Sequence, residues 1–293
     1  MKNILFLKYI ISIFLLDITF CQKVIENLCY PANDVSRVVI AGGSITEIFY
    51  LLGIEDMIVA VDITSNFPEE AKKYPTIGYV RMLSTEGVLS MRPTLVIGEN
   101  DMGPSNVIDQ INSTGVELKI VPEKKTAQGV IAKIRCIASI MNMETEADKM
   151  IGENFDDLLF DLERKRKKVV NKNISAMVIY SMQGTSPIVS GSGESGDAFL
   201  KMTGAENAFS SFEGWKPATA EAIITNDPDF IIVTNRLLKR FSNLDELKNH
   251  PALAQTTAAK NNHIIAQDGM AMMGFGPRTI ECALEVSNKF LNN

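Results

Sequence analysis

An internal repeat most constrains what this chain can fold into. Residues 85–97 read TEGVLSMRPTLVI, and residues 220–232 read AEAIITNDPDFII. In each copy a glutamate stands seven residues before a proline, the apolar positions between them coincide, and a β-rich run follows. A glycine–aromatic pair precedes each copy at nearly the same distance: Gly78-Tyr79 and Gly214-Trp215. Because one supersecondary unit is repeated, the sequence predicts two similar lobes with a cleft between them.

β-rich runs alternate with amphipathic stretches on both sides of a helical region. This alternation predicts an α/β fold built from parallel sheets. We assign residues 36–125 to an N-terminal α/β lobe, 126–172 to the helical region and 173–293 to a C-terminal α/β lobe. The predicted strands lie in RVVIAGG, MIVAVD, TLVIGE, ELKIVPE, SAMVIYSM, FIIVTN and HIIAQD.

One long helix is predicted to connect the lobes. Apolar residues recur along one helical face at Ala147, Ile151, Phe155, Leu158 and Leu162. The basic run ERKRKK that follows is typical of a solvated helix C-terminus.

Capping signals mark two shorter helices. The first is predicted over 44–53, with Ser44 as N-cap, Glu47 at the capping-box position and Gly53 as C-cap. A second helix is predicted to begin near Ser84.

The N-terminus is typical of an exported protein. Residues 1–21 combine Lys2 with an interrupted apolar stretch that is too short to span a membrane, which predicts a secretory signal peptide. Cleavage before Cys21 would leave a lipid anchor, and ordinary cleavage nearby is the alternative. Of the remaining cysteines, Cys136 and Cys282 lie in helical patterns, so we interpret them as small core residues rather than a disulfide framework.

Composition excludes several function classes. Lys and Arg number 29 against 35 Asp and Glu, and no basic face favours nucleic acid as a partner. The chain has two histidines, His250 and His263, which are too few for a His-rich zinc or manganese site. We interpret both as structural.

Three segments are candidates for facing the cleft. Tyr79 and Arg81 lie on a loop where, in an extended conformation, they point the same way, and a neighbouring guanidinium favours the phenolate that binds ferric iron. The run TNRLLKR leaves the carboxyl end of a strand. A Met-rich loop follows another strand, and its thioethers suit a large flat apolar ligand: Met270, Met272 and Met273.

A glycine motif makes a dinucleotide-dependent enzyme an alternative interpretation. Gly191, Gly193 and Gly196 form a G-x-G-x-x-G pattern, but the preceding strand is interrupted and an exported protein meets little NAD. The helix start there is alternatively an anion site, for example for a haem propionate. No nucleophile, base and orienting acid stand at a recognisable spacing, so no enzymatic activity is predicted.

Four segments together resemble the periplasmic haem-binding proteins of bacterial haem ABC importers: TIGYVRMLSTEGVLSMRPTLVIGE, SGSGESGDAFLKMTGAENAF, NRLLKRFSNLDELKNHPALAQTTAA and MGFGPRT. The resemblance implies two Rossmann-like lobes joined by a long rigid α-helix, with ferric haem in the cleft and Tyr79 as its axial ligand. Arg236 matches the family's arginine that supports the phenolate. Arg81 is expected against the phenolate or a propionate.

The resemblance also implies a partner. Glu86 and Glu221 match the paired acidic residues by which such proteins dock onto an ABC permease dimer. We therefore predict a monomeric, periplasmic protein that captures haem and delivers it to a permease.

The sequence departs from the family at one point. Some members hold two stacked haems and use a second-lobe histidine, but the matching stretch IYSMQGTSPIVS has none. A second haem would therefore lack that ligand. A ferric-siderophore or corrinoid binder of the same fold is the alternative function.

Overall fold

The computed structural model describes residues 29–292. The predicted signal peptide and the lipid-anchor candidate Cys21 lie outside the described residues. The described chain forms two compact units, the first containing 29–123 and 133–147, and the second containing 124–132 and 148–292.

The first unit is built on a four-stranded parallel sheet. Its elements are β1 (Val38–Ala41), α1 (Gly43–Leu52), β2 (Ile58–Val61), α2 (Thr85–Leu89), β3 (Leu95–Glu99), α3 (Ser105–Ser113) and β4 (Glu117–Val121). The strand order is β2-β1-β3-β4, and every pairing is parallel. All four residues of β1 are buried, as expected for a strand covered on both faces. The chain order reverses around β1, and open parallel sheets bind ligands beyond the carboxyl ends of strands at such a point.

Two helices follow, α4 (Ala127–Ile140) and α5 (Glu144–Asn171). With 28 residues, α5 is about 42 Å long. It begins in the first unit and continues into the second. The predicted long helix is therefore confirmed, and its apolar residues Ala147, Ile151, Phe155 and Leu162 are buried.

The second unit contains a six-stranded mixed sheet. Its elements are β5 (Ser175–Gln183), β6 (Ser186–Ser190), α6 (Ser195–Thr203), β7 (Glu206–Asn207), β8 (Trp215–Pro217), α7 (Ala220–Asn226), β9 (Phe230–Thr234), α8 (Asn235–Leu238), α9 (Leu244–Lys248), α10 (Thr257–Lys260), β10 (Ile264–Gln267), α11 (Gly269–Met273) and α12 (Arg278–Asn292). The order is β10-β9-β5-β6-β8, with β7 paired to β5.

The expectation of parallel sheets is wrong for part of the second unit. β5, β9 and β10 are parallel, but β6 and β8 are antiparallel to their neighbours. The reversal is local, because β5 and β6 form a hairpin whose turn contains Gly184 at φ 60°. The α/β fold of two lobes with a long connecting helix is otherwise confirmed.

The sequence repeat is also a structural repeat. α2 is followed by β3, and α7 is followed by β9, with both strands beginning nine residues after the repeated glutamate. Ser84 caps α2 as predicted, and Thr219 caps α7 in the same way. The two preceding glycines share a positive φ, 93° at Gly78 and 83° at Gly214.

Ser44 does not cap α1. The helix starts at Gly43 with Gly42 as N-cap, whereas the hydroxyl of Ser44 donates to Glu99 at 2.6 Å. The predicted C-cap is confirmed, since Gly53 has φ 68° and its N–H donates to two carbonyls of the last turn.

Cys136 is not a simple core residue, because it forms a disulfide bond with Cys29. The bond fixes the start of the described chain to α4. Hydrogen bonds from Ala32 to Ile140 and from Asn33 to Glu117 hold the same segment. Cys282 is a free, buried cysteine as predicted.

Candidate functional site

Tyr79 lies on a tight turn in the first unit. The Met82 N–H donates to the Tyr79 carbonyl at 2.7 Å, and Gly78 before it has φ 93°. The extended conformation predicted for Tyr79 and Arg81 is therefore wrong, and their alternation does not make their side chains parallel. The positive φ explains the glycine, because side chains with a Cβ rarely adopt that conformation.

Backbone hydrogen bonds hold the Tyr79 turn at the carboxyl edge of the sheet. The Gly103 N–H donates to the Val80 carbonyl, and the Leu83 N–H donates to the Gly103 carbonyl, each at 2.9 Å. On the other side, the Ile63 N–H donates to Gly78 at 2.9 Å. The turn is thus bonded to the segments that follow β3 and β2, where parallel sheets place ligands.

The side chains at this turn combine a phenol, a cation and apolar groups. Tyr79 is partly buried against the core of the unit. The Arg81 guanidinium donates to the Asp101 carboxylate at 2.6 Å while its side chain stays 61% exposed. Met82 and Ile63 are 76% and 60% exposed, which is unusual for large apolar residues. Sequence reasoning missed Met82 and Ile63 as site candidates, because exposure depends on the fold.

A buried ionic network underlies the same edge. Lys133, 1% exposed, donates to Glu123 at 2.7 Å and to Ser44 at 3.0 Å, and Ser44 donates to Glu99. Burial raises the pKa of Glu99 to about 7, although the Lys133 charge and the Ser44 hydrogen bond act in the opposite direction. Because an added Cβ at Gly42 would lie 2.6 Å from side-chain carbons of Glu99, glycine is required there. The spacing of these residues did not reveal the network, which depends on strand pairing.

Asp62 organises the turn between β1 and α1. Its carboxylate accepts hydrogen bonds from the Gly42 N–H, the Thr64 N–H and hydroxyl, and the Ser65 hydroxyl. Burial nevertheless raises the pKa of Asp62 above its usual value. The network therefore fixes the backbone beside the carboxyl end of β1.

In the second unit, the helix α8, the strand β5 and the start of α11 meet around Thr234. Its hydroxyl accepts from the Leu237 N–H at 3.0 Å, which caps the helix α8 that carries Arg236. The same hydroxyl makes a long hydrogen bond of 3.5 Å to the Tyr180 carbonyl. The first residue of α11, Gly269, lies beside Thr234, since a Cβ added at Gly269 would lie 3.5 Å from the Thr234 side chain. Arg236, exposed, and α11 thus lie at the carboxyl ends of β9 and β10.

The methionine segment is the short helix α11 rather than a loop. Met270 and Met273 are partly buried, but Met272 is completely buried. Met272 therefore belongs to the core, and its predicted contact with a ligand is wrong.

The glycine motif has a packing function. An added Cβ at Gly191 would collide with Phe212, and one at Gly196 would lie 2.7 Å from Ser190 and 3.1 Å from Trp215. The buried Asp197 carboxylate accepts the Gly193 N–H at 3.0 Å and pairs with Lys201. These partners hold the pKa of Asp197 below its usual value despite burial. Because this carboxylate occupies the start of α6, that helix end offers no support for a dinucleotide or propionate.

The two repeated glutamates occupy equivalent exposed positions. Glu86 is the second residue of α2, and Glu221 is the second residue of α7. Neither carboxylate has an ion-pair partner within residues 29–292. Their charges therefore face solvent, each at the start of a helix.

Both histidines have local packing contacts. The His250 Nδ1 accepts the Ala252 N–H at 3.2 Å, and burial lowers the pKa of its imidazole. His263 stacks on Phe230 with ring centroids 4.4 Å apart. Within the described part of the chain, no three His, Cys, Asp or Glu side chains are grouped to hold a metal ion.

No helix among residues 29–292 is long and apolar enough to cross a membrane.

Comparison with known proteins identifies the family. A model described as periplasmic binding protein matches residues 38–270. An uncharacterized ABC transporter substrate-binding lipoprotein of Bacillus subtilis, YvrC, is 26% identical over 257 residues, which are 87% of this chain and 80% of that protein. The vitamin B12-binding protein of Pectobacterium atrosepticum is 23% identical over 209 residues, which are 70% of this chain and 74% of that protein.

A solved structure has the same fold. The periplasmic heme binding protein HutB of Vibrio cholerae matches with a TM-score of 0.76 and 31% identity, over 87% of this chain and 98% of that one. The family model covers most of the sequence, and the match to HutB extends over both units described above. The chain belongs to the periplasmic binding protein family.

Proposed function

We propose that this exported binding protein captures one ferric haem, with Tyr79 as the iron ligand, and delivers it to an ABC permease. The observation that carries the proposal is the Tyr79 turn, where a phenol stands among exposed apolar side chains at the carboxyl edge of a parallel sheet. An anionic phenolate oxygen is a suitable ligand for ferric iron. The likeness to HutB, a haem-binding protein, supports haem as the cargo.

The groups around Tyr79 suit a porphyrin. Met82 and Ile63 offer apolar surface for the macrocycle, and Arg81 offers a guanidinium for a propionate. Burial of those exposed apolar groups against a ligand would contribute favourably to binding.

The second unit supplies a further set of contacts in this proposal. Arg236 is exposed at the carboxyl end of β9, and its guanidinium would support the phenolate charge. Met270 and Met273 remain candidates for contact with the macrocycle, because both are partly accessible.

A corrinoid is the second candidate cargo. The vitamin B12-binding relative from Pectobacterium atrosepticum supports it, and a ferric siderophore fits the same fold. In either case Tyr79 would serve packing, since a siderophore brings its own iron ligands and a corrinoid its own cobalt ligands. Of these three candidate ligands, only haem would need the phenol oxygen of Tyr79 as a ligand to its metal.

Spectroscopic titration tests the choice of cargo. Hemin added to the purified protein should give the visible spectrum of tyrosinate-bound ferric haem at one equivalent. Tyr79→Ala and Tyr79→Phe should both lose that spectrum, whereas Tyr30→Phe, at an exposed tyrosine of the same unit, should retain it. A wild-type spectrum identical to that of free hemin, together with binding of cyanocobalamin, would reject haem in favour of a corrinoid.

A further inference from the structure

Tyr180 occupies an irregular position in the second sheet. The pairing of β5 with β6 shifts register between Ile179 and Ser181, which leaves Tyr180 as the extra residue of a β-bulge. Its neighbours toward the start of β5 are buried, but Tyr180 is 49% exposed. Bulges redirect a side chain and are frequent beside binding sites.

Tyr180 lies at the carboxyl edge described for the second unit. Its carbonyl accepts the Thr234 hydroxyl, and Thr234 ends β9 and caps the helix that carries Arg236. The exposed phenol ring therefore belongs to the same edge as the second-unit contacts of the proposed function.

The ring of Tyr180 packs against Trp215. Their centroids are 5.6 Å apart, and the planes are tilted by 52°. Trp215 is held in place, because it pairs with Ser190 in the sheet and its ring lies so close to Gly196 that a Cβ added there would be 3.1 Å from it. The Trp215 ring and the half-exposed Tyr180 ring together form an apolar surface, and aromatic side chains have little side-chain entropy to lose on binding.

The repeat relates this surface to the Tyr79 turn. Trp215 follows Gly214 as Tyr79 follows Gly78, both glycines have positive φ, and each pair precedes the same helix–strand unit. The second unit thus carries an aromatic pair where the first carries the phenol of the proposed iron site. We propose that Tyr180 and Trp215 form a stacking surface for one face of the porphyrin, without ligating its iron.

This inference rests on the proposed function, so the test separates stacking from ligation. Protoporphyrin IX without metal has the same flat macrocycle and propionates as haem but no iron for Tyr79 to ligate. Binding of protoporphyrin IX should survive Tyr79→Ala and should weaken roughly five- to tenfold in Tyr180→Ala, the size expected for loss of an aromatic contact.

The substitutions at Tyr180 distinguish the ring from the hydroxyl. Tyr180→Phe should bind both porphyrins within about twofold of wild type, because stacking needs only the ring. Tyr180→Ala with hemin should keep the tyrosinate spectrum at a weaker affinity. Phe160→Ala, at an aromatic residue of α5 that is 71% exposed, is the matched control and should change neither affinity.

Three other outcomes would reject the stacking surface, and one of them would also reject the proposed function. Unchanged affinity of Tyr180→Ala for both porphyrins, with hemin still bound by wild type, rejects the stacking surface alone. Loss of the tyrosinate spectrum in Tyr180→Phe would show that the hydroxyl ligates iron and would also reject it. Failure of wild type to bind either porphyrin rejects the proposed function and this inference together. Thermal melting of Tyr180→Phe and Tyr180→Ala checks that both variants fold.

Discussion

The guanidinium of Arg81 and the carboxylate of Asp101 form an ion pair, with 2.6 Å between Nε and Oδ2, beside the turn that carries Tyr79. Asp101 stands two residues beyond β3, so the pair joins the Tyr79 turn to the edge of the sheet. In the proposed complex a haem propionate would compete with Asp101 for this guanidinium. Asp101 would also repel the incoming carboxylate.

Replacement of Asp101 should strengthen haem binding. In Asp101→Asn the charge competing for Arg81 is removed, and we expect hemin affinity to rise roughly two- to fivefold, in keeping with the 0.2–1 kcal/mol range of exposed ion pairs. Asp109→Asn, at an exposed carboxylate on α3, is the matched control. Titrations at low and high salt should show the gain shrinking as salt rises. Weaker binding in Asp101→Asn would indicate that the ion pair positions Arg81 for the ligand.

The Cys29–Cys136 disulfide should contribute substantially to stability. It joins residues separated by 107 positions, and closing a loop of this size restricts the unfolded chain. We expect reduction to lower the free energy of unfolding by about 2–4 kcal/mol. Urea denaturation with and without a phosphine reductant measures the difference. The double variant Cys29→Ser/Cys136→Ser should match the reduced protein and should not respond to reductant; equal midpoints for all samples would contradict this expectation.

Glu99 should make the stability of the first unit depend on pH. Burial raises its pKa from 4.5 to about 7, so between these values the folded protein holds a proton that the unfolded chain releases. The stabilisation of the folded state by this proton is complete below pH 4.5 and is lost as the pH rises through 7. Relative to Glu99→Gln, wild type should lose up to about 3 kcal/mol of stability from pH 4.5 to pH 8.

Gln at position 99 is a suitable reference because its amide oxygen can still accept the Ser44 hydroxyl. Urea unfolding of both proteins across this pH range gives the two curves. Parallel curves would mean that the Glu99 carboxyl is ionised throughout, with Lys133 outweighing burial.

The features that the sequence predicted correctly are encoded locally. The Glu–helix–Pro–strand repeat, the buried runs of β1 and β3, and the cap of α2 at Ser84 each depend on residues a few positions apart. Such patterns determine the elements and their order, so the α/β fold with two lobes followed from them.

Several of the errors involve partners that are distant in sequence. Ser44 has the local context of an N-cap, but the pairing of β1 with β3 brings Glu99 to its hydroxyl. Cys136 lies in a helical pattern, and its partner stands near the other end of the unit. Tyr180 was not selected because a register shift between strands, rather than any spacing, exposes its ring. Local spacing therefore selects residues of a single segment, such as Tyr79 and Arg81, as site candidates, but it does not reveal residues whose exposure depends on the pairing of two distant segments.

The two repeated glutamates should govern docking to the permease. Glu86 and Glu221 stand at the same position of α2 and α7, exposed and without an ion-pair partner within residues 29–292. In the proposed complex, two equivalent carboxylates, one on each unit, would meet basic side chains on the two subunits of a permease dimer. Complementary charges of this kind mainly raise association rates and fix orientation.

Charge reversal separates docking from haem binding. In Glu86→Lys/Glu221→Lys, the concentration that half-maximally stimulates the ATPase of the reconstituted transporter should rise at least about tenfold, since attraction becomes repulsion at both contacts. Each single variant should show a smaller loss, and hemin affinity should stay at the wild-type value. The matched control is Glu70→Lys/Glu281→Lys, which reverses an exposed glutamate in the short 3-10 helix Glu69–Lys73 of the first unit and one in the first turn of α12. An equal loss of stimulation in the control would assign the effect to net charge, and a loss of hemin affinity in Glu86→Lys/Glu221→Lys would move these carboxylates from the docking surface to the ligand site.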